Sequence, residues 1–147
     1  MTNQLKDQFY FGVQILLFVA YILPVNLGSY QLPKDYVILF KLFAFIGISF
    51  TLLAVISFDY LISPFPSPKK KTQLKTNGIY KWSRHPIYTG LILFFFAWAG
   101  ANGSFYQLLI ACVFFIFIYF KASYEEKLLM QKFDSYANYK KQTRMFI

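Results

Sequence analysis

The stretch RHPIYTGLILFFFAWAGANGSFYQLLIACVFFIFIYFK, residues 84–121, contains two apolar runs joined by a short uncharged turn. The runs cover about 86–101 and 104–120, and GANGS between them leaves no room for a long connection. Backbone groups in hydrocarbon must be paired within their own segment, which favours helices. We therefore predict a tight antiparallel helical hairpin. Small residues are expected to let its two helices approach closely, namely Gly90, Ala97, Gly100 and Ala111.

The composition indicates that these helices lie in a membrane. Hydrophobic residues make up 57% of the chain and charged residues 14%, whereas soluble proteins have roughly 25% charged residues. Two further apolar segments, at about 9–27 and 36–60, approach the roughly 20 residues that cross a bilayer. The expected fold is an all-α integral membrane protein, a single domain over residues 1–147 with about four transmembrane helices.

The distribution of basic residues predicts the orientation of these helices. The loop at 63–85 contains six basic residues and no acid, and the tail at 121–147 is also basic. Lysine and arginine accumulate on the cytoplasmic side of membrane proteins. We therefore expect a multi-pass protein whose basic loop and both termini are cytoplasmic. Contacts with anionic membrane lipids explain the net charge of +9, and no nucleic-acid partner is expected.

Metal and disulfide chemistry are not predicted. The chain contains one cysteine, Cys112, and one histidine, His85. A single cysteine cannot form an intramolecular disulfide, and one cysteine with one histidine cannot complete a metal cage.

Two polar groups remain at the cytoplasmic ends of the predicted hairpin. In the first, Arg84 and His85 precede Pro86, which suits the first turn of a helix because it lacks an N–H. A helix amino terminus favours carboxylate or phosphate groups. In the second, Glu125 and Glu126 follow the last apolar run. The alternative for this second group is a solvated helix end, with Lys121 one turn before Glu125.

The hairpin would bring these two groups together on one membrane face. The resulting pocket would bind a ligand that carries both a carboxylate and a cationic centre. S-adenosylmethionine, with its amino-acid and sulfonium groups, has this pattern of charges. We therefore predict a cytoplasmic S-adenosylmethionine site that involves no metal.

The motifs GIY, RHPIYTG and YEEKLL, with the later FDSYANY stretch, occur in an ordered arrangement in the second half of the chain. In this order and spacing the sequence resembles the isoprenylcysteine carboxyl methyltransferase family and the related phospholipid methyltransferases. The resemblance implies that Gly78 and Tyr80 line the pocket entrance. It also implies cofactor contacts for the residues of the two polar groups, namely His85, Pro86, Tyr88, Glu125 and Glu126. The tail at 121–147 would cap the cofactor.

The sequence departs from the family pattern at two places. Asp134 stands where the family usually has glycine, and Lys121 stands where relatives often carry arginine. A lysine lacks the planar fork that holds a carboxylate at two points.

The resemblance implies methyl transfer to a lipid-like or lipidated acceptor. Arg84 would orient a carboxylate of the isoprenylcysteine type, whereas Glu125 or His85 would accept a proton from a phospholipid amine. Arg84 and Glu125 are therefore the predicted catalytic residues. Two alternatives remain: a noncatalytic membrane partner subunit, and an NADPH-dependent lipid reductase with a related carboxy-terminal bundle.

Overall fold

The computed structural model of the protein describes residues 3–57, 65–68 and 73–147. Five α-helices account for most of them: α1 Asn3–Ile22, α2 Lys34–Ser57, α3 Pro86–Asn102, α4 Phe105–Lys132 and α5 Tyr136–Gln142. A short 3-10 helix, Gly78–Lys81, precedes α3. The only β-pairing in the described ranges consists of two isolated bridges, so the all-α prediction is confirmed.

Three of the helices, α1, α2 and α4, are long and apolar enough to cross a membrane, whereas the apolar α3 has 17 residues. Large hydrophobic side chains are exposed along these helices, as expected for surfaces that face lipid. The length and composition of these helices are those of an integral membrane protein. Four spans, the hairpin and the orientation remain predictions.

The observed helices differ in length from the predicted apolar segments. Helix α1 ends at Ile22 rather than near 27, because Pro24 disfavours helical geometry in the residue before it. Helix α4 continues to Lys132, since most of its residues after 120 are good helix formers. The predicted end of the second segment, at 58–60, and the lysines at 69–71 lie outside the described residues.

Helices α2 and α3 approach closely through glycine. A Cβ atom on Gly90 would lie 2.5 Å from the Gly47 carbonyl oxygen, and one on Gly100 would lie 2.8 Å from the Phe40 ring. Both partners belong to α2. The expectation that Gly90 and Gly100 bring α3 close to α4 is therefore wrong, because these glycines face the other neighbour.

Aromatic packing joins α3 to α4 and α1. The rings of Phe95 and Phe114 are stacked with centroids 4.3 Å apart, and Phe18 of α1 packs against both. The Tyr21 hydroxyl donates a 2.6 Å hydrogen bond to the Phe95 carbonyl oxygen. This core holds the middle of α3 and the first half of α4 beside the end of α1.

Candidate functional site

A cluster of polar side chains lies where α3 begins and α4 ends. We call it the polar cluster, and its members are Arg84, His85, Tyr88, Glu125 and Glu126. Pro86 occupies the first turn of α3, with His85 as the N-cap residue. The structure thus brings together the two polar groups that the sequence placed 40 residues apart, roughly the length of two spanning helices.

Glu126 is the most buried acid of the polar cluster, with 1% of its surface exposed. Its Oε1 atom accepts a 2.7 Å hydrogen bond from Arg84 Nε. Lys140 Nζ lies 2.7 Å from its other oxygen, Oε2. A buried carboxylate is stable only with such compensation, so Glu126 ties the start of α3 to the carboxy-terminal tail.

The tail after α5 crosses the start of α3 and is attached through backbone groups. The Arg84 guanidinium donates to the carbonyl oxygens of Lys140, at 3.2 Å, and Thr143. The backbone N–H groups of Arg84 and His85 donate to the carbonyls of Arg144 and Met145, at 2.9 and 3.3 Å. Residues 140–145 therefore lie against the polar cluster, and a cofactor cap formed by the tail stays a prediction.

Glu125 forms a second part of the polar cluster with Tyr88 and His85. The Tyr88 hydroxyl donates a 2.5 Å hydrogen bond to Glu125 Oε1. His85 Nδ1 lies 3.6 Å from Glu125 Oε2, which is longer than a hydrogen bond. The rings of His85 and Tyr88 are stacked with centroids 5.6 Å apart. The imidazole thus lies between the two glutamates, because its Nε2 is 3.4 Å from Glu126 Oε1.

The two residues predicted at the pocket entrance differ in exposure. Tyr80 is buried, and its carbonyl oxygen accepts a 2.6 Å hydrogen bond from the Tyr139 hydroxyl of α5. Burial raises the pKa of Tyr139 to about 12, so this hydroxyl keeps its proton at neutral pH. Gly78 is exposed, has a φ of +61° and has open space where a side chain would begin.

Helix α1 contributes polar residues that the sequence analysis did not identify. Lys121 Nζ donates a 2.5 Å hydrogen bond to Gln14 Oε1 and lies 5.3 Å from the Tyr88 ring centroid. Asp7 is buried and interacts electrostatically with Lys121 and Glu125. The alternative of a solvated glutamate pair beside Lys121 is excluded, because Lys121 and Glu126 are each only 1% exposed. The sequence pattern that could have indicated these residues is the seven-residue spacing of Asp7 and Gln14, which places both on one face of a helix.

The donor set of the polar cluster fits S-adenosylmethionine. The carboxylate of Glu125 matches its cationic groups, whereas that of Glu126 is already paired with Arg84 and Lys140. His85 Nε2 is buried and forms no aligned hydrogen bond with any residue of the described ranges, so it can still bond a ligand. Pro86 is fully buried. It occupies the first turn of α3 and has no polar side-chain group that could contact a ligand.

Sequence comparison identifies the family of this protein. The profile of the phospholipid methyltransferase family matches residues 36–136, which include all but the first two residues of α2, the whole of α3 and α4, and the polar cluster. The chain belongs to this family. The resemblance based on its motifs is confirmed at this level.

One relative is methanethiol S-methyltransferase 1 of Bradyrhizobium diazoefficiens, which is 40% identical over 90 residues. The matched region is 60% of this chain but 30% of the relative, so the chain spans about a third of that protein. No solved structure matches the chain significantly.

Proposed function

We propose that this chain is a membrane methyltransferase that uses S-adenosylmethionine. The observation that carries the proposal is the polar cluster, in which separate parts of the chain converge at one end of apolar helices and are covered by the tail. When bound, S-adenosylmethionine supplies an electrophilic methyl group on a positively charged sulfur. Family membership and the name of the relative both support methyl transfer.

The contacts divide the polar cluster into two roles. His85, Tyr88 and Glu125 are proposed to contact the cofactor, since His85 Nε2 has hydrogen-bonding capacity left and Glu125 is more exposed than Glu126. Glu126 and Arg84 are proposed as positioning residues. Their charged groups already bind each other and the tail, so Arg84 acts by holding the tail rather than by orienting an acceptor carboxylate.

Tyr80 and Gly78, the two residues predicted at the pocket entrance, are proposed to lie at the edge of the site. Tyr80 is proposed to hold α5 against the cluster through its bond from Tyr139. Gly78, in an open part of the surface, is proposed to lie at the cofactor entrance. We further propose that the cluster, the tail and both termini face the cytoplasm, as the basic residues indicate.

The acceptor is proposed to be a lipid-like or small molecule that reaches the site from the bilayer. The family description names phospholipids, and the relative is named for a small thiol. Exposed apolar side chains on α1 and α4, next to the polar cluster, offer a route from lipid. An amphipathic acceptor would place its reactive head among the polar residues and its chain among the apolar ones.

A transfer experiment tests this proposal. Purified protein in liposomes is incubated with S-adenosylmethionine labelled in its methyl group, together with a total lipid extract or an alkanethiol. We expect label in the organic phase. Label that mild aqueous base releases as volatile methanol identifies a carboxyl ester, whereas label that stays non-volatile identifies an N-methyl or S-methyl product. Absence of transfer to every acceptor, with the protein folded, would favour a noncatalytic partner subunit.

A further inference from the structure

The start of α1 contains a buried acid beside the polar cluster. Asp7 is 8% exposed, and its electrostatic neighbours on α4 are Lys121, Tyr124 and Glu125. Helix α1 lies outside residues 36–136, the region that matches the family. Neither the family match nor the motifs assign a role to this residue.

One oxygen of Asp7 lacks a hydrogen bond. Its Oδ1 atom is buried and accepts none from the part of the chain that the structure describes. Buried polar atoms are nearly always paired, and an unsatisfied one costs about 1 to 3 kcal/mol. A ligand that donates a hydrogen bond to Oδ1 would recover this cost on binding.

The charges around Asp7 restrict the chemistry of that ligand. The carboxylates of Asp7 and Glu125 both interact with Lys121, whose ammonium group also donates to Gln14. The neighbouring cation, Lys6, lies over the Tyr124 ring at 5.4 Å. Two carboxylates and one buried ammonium would repel a third negative charge. They favour a head group that carries N–H or S–H.

The seam between α1 and α4 is continuous with the polar cluster. Lys121 lies over the ring of Tyr88, and the hydroxyl of Tyr88 donates to Glu125. A ligand head beside Asp7 would therefore be next to the proposed cofactor contacts.

We propose that Asp7 binds the reactive head of the methyl acceptor and selects an amine or a thiol over a carboxylate. This inference rests on the proposed function and assigns its acceptor class. Asp7 is an acceptor-binding residue in this scheme, and the cofactor contacts do not depend on it.

The test uses three probes with the same chain and different heads: dodecylamine, dodecanethiol and dodecanoate. Binding of each is measured to the full protein in nanodiscs saturated with S-adenosylhomocysteine. We expect wild-type protein to bind the amine and the thiol at least about tenfold more tightly than the carboxylate. Asp7→Asn should reduce this preference to about twofold or less. Asp35→Asn, which changes an exposed acid at the start of α2, should leave it unchanged.

The outcomes separate this inference from the proposed function. If S-adenosylhomocysteine does not bind wild-type protein, the proposed function fails. If it binds but wild-type protein shows no preference among the three heads, or Asp7→Asn retains the full preference, the role of Asp7 is wrong. If Asp7→Asn does not fold, Asp7→Glu provides the comparison. Asp7→Glu keeps the negative charge, so this variant should still prefer the amine and the thiol. If Asp7→Glu loses this preference, the inference is contradicted.

Discussion

Arg84 and Glu126 are 42 residues apart in the chain, yet Arg84 Nε lies 2.7 Å from Glu126 Oε1 in a nearly solvent-free contact. The same guanidinium holds two carbonyl groups of the tail. The ion pair therefore links α3, α4 and the cap over the site.

Removal of either partner should release the tail. Loss of one member of a buried ion pair leaves an uncompensated charge, at a cost of about 3 to 5 kcal/mol. We expect Glu126→Gln and Arg84→Gln each to increase amide hydrogen exchange across residues 136–145. The double variant should lose less than the sum of the two, because both changes remove the same interaction.

The matched control for this experiment is Arg144→Gln. The Arg144 side chain is exposed, and it is its backbone carbonyl that holds the tail. Exchange in this variant should match wild type. Equal protection in all the variants would show that the ion pair does not hold the tail.

The contact between α2 and α3 predicts a different kind of defect. Gly90→Ala should destabilise the protein by about 1 to 3 kcal/mol, because the new Cβ atom would press on the Gly47 carbonyl. Gly12→Ala is the control, since nothing lies within 4 Å of a Cβ atom there. Thermal unfolding in detergent should show a lower Tm for the first variant only. An unchanged Tm for Gly90→Ala would contradict the close packing.

The sequence was sufficient to predict the helical class and the meeting of the two motifs. Pro86 indicated a helix start, and the short GANGS turn favoured a next helix that returns toward it. Such a proline and such a short turn indicate where helices begin and end. The structure adds the contacts of Glu125 with Tyr88 and His85, which the sequence did not specify.

Other parts of the site depend on contacts that leave little trace in the sequence. The tail attaches to Arg84 and His85 through backbone carbonyls, which every residue has. The sequence suggested Lys121 as a helical partner of Glu125, but it did not indicate that Lys121 is buried and also donates to Gln14 of α1. Which neighbouring helix Gly90 faces depends on how the helices are arranged around α3. Periodicity within one helix does not determine this arrangement.

Membrane orientation is tested by cysteine labelling in a Cys112→Ala background. Asn102 and Gln142 are both exposed, and they lie at the end of α3 and the end of α5. We expect Asn102→Cys to react with an impermeant reagent outside intact cells, since the basic tail should be cytoplasmic. Gln142→Cys should react only after permeabilisation. The reverse pattern would show that the orientation is inverted.

The length of the acceptor chain should control turnover if the acceptor arrives from lipid. Each buried CH₂ contributes about 0.8 kcal/mol, so kcat/KM should rise by about fourfold per CH₂ along a series of alkanethiols or alkylamines until the apolar surface is filled. Initial rates in liposomes measure this dependence. Short soluble acceptors that react as well as long ones would instead indicate a small-molecule methyltransferase resident in the membrane.

The central claim is that the polar cluster binds S-adenosylmethionine, and calorimetry of the purified protein tests it most directly. Wild-type protein should bind S-adenosylmethionine and S-adenosylhomocysteine but not NADPH. Glu125→Gln and His85→Ala should each weaken this binding by about ten- to a hundredfold, the value of one charge-assisted hydrogen bond. Asp134→Asn, at an exposed acid in the turn before α5, should bind like wild type. Binding of NADPH alone, or unchanged S-adenosylmethionine affinity in both cluster variants, would contradict the account.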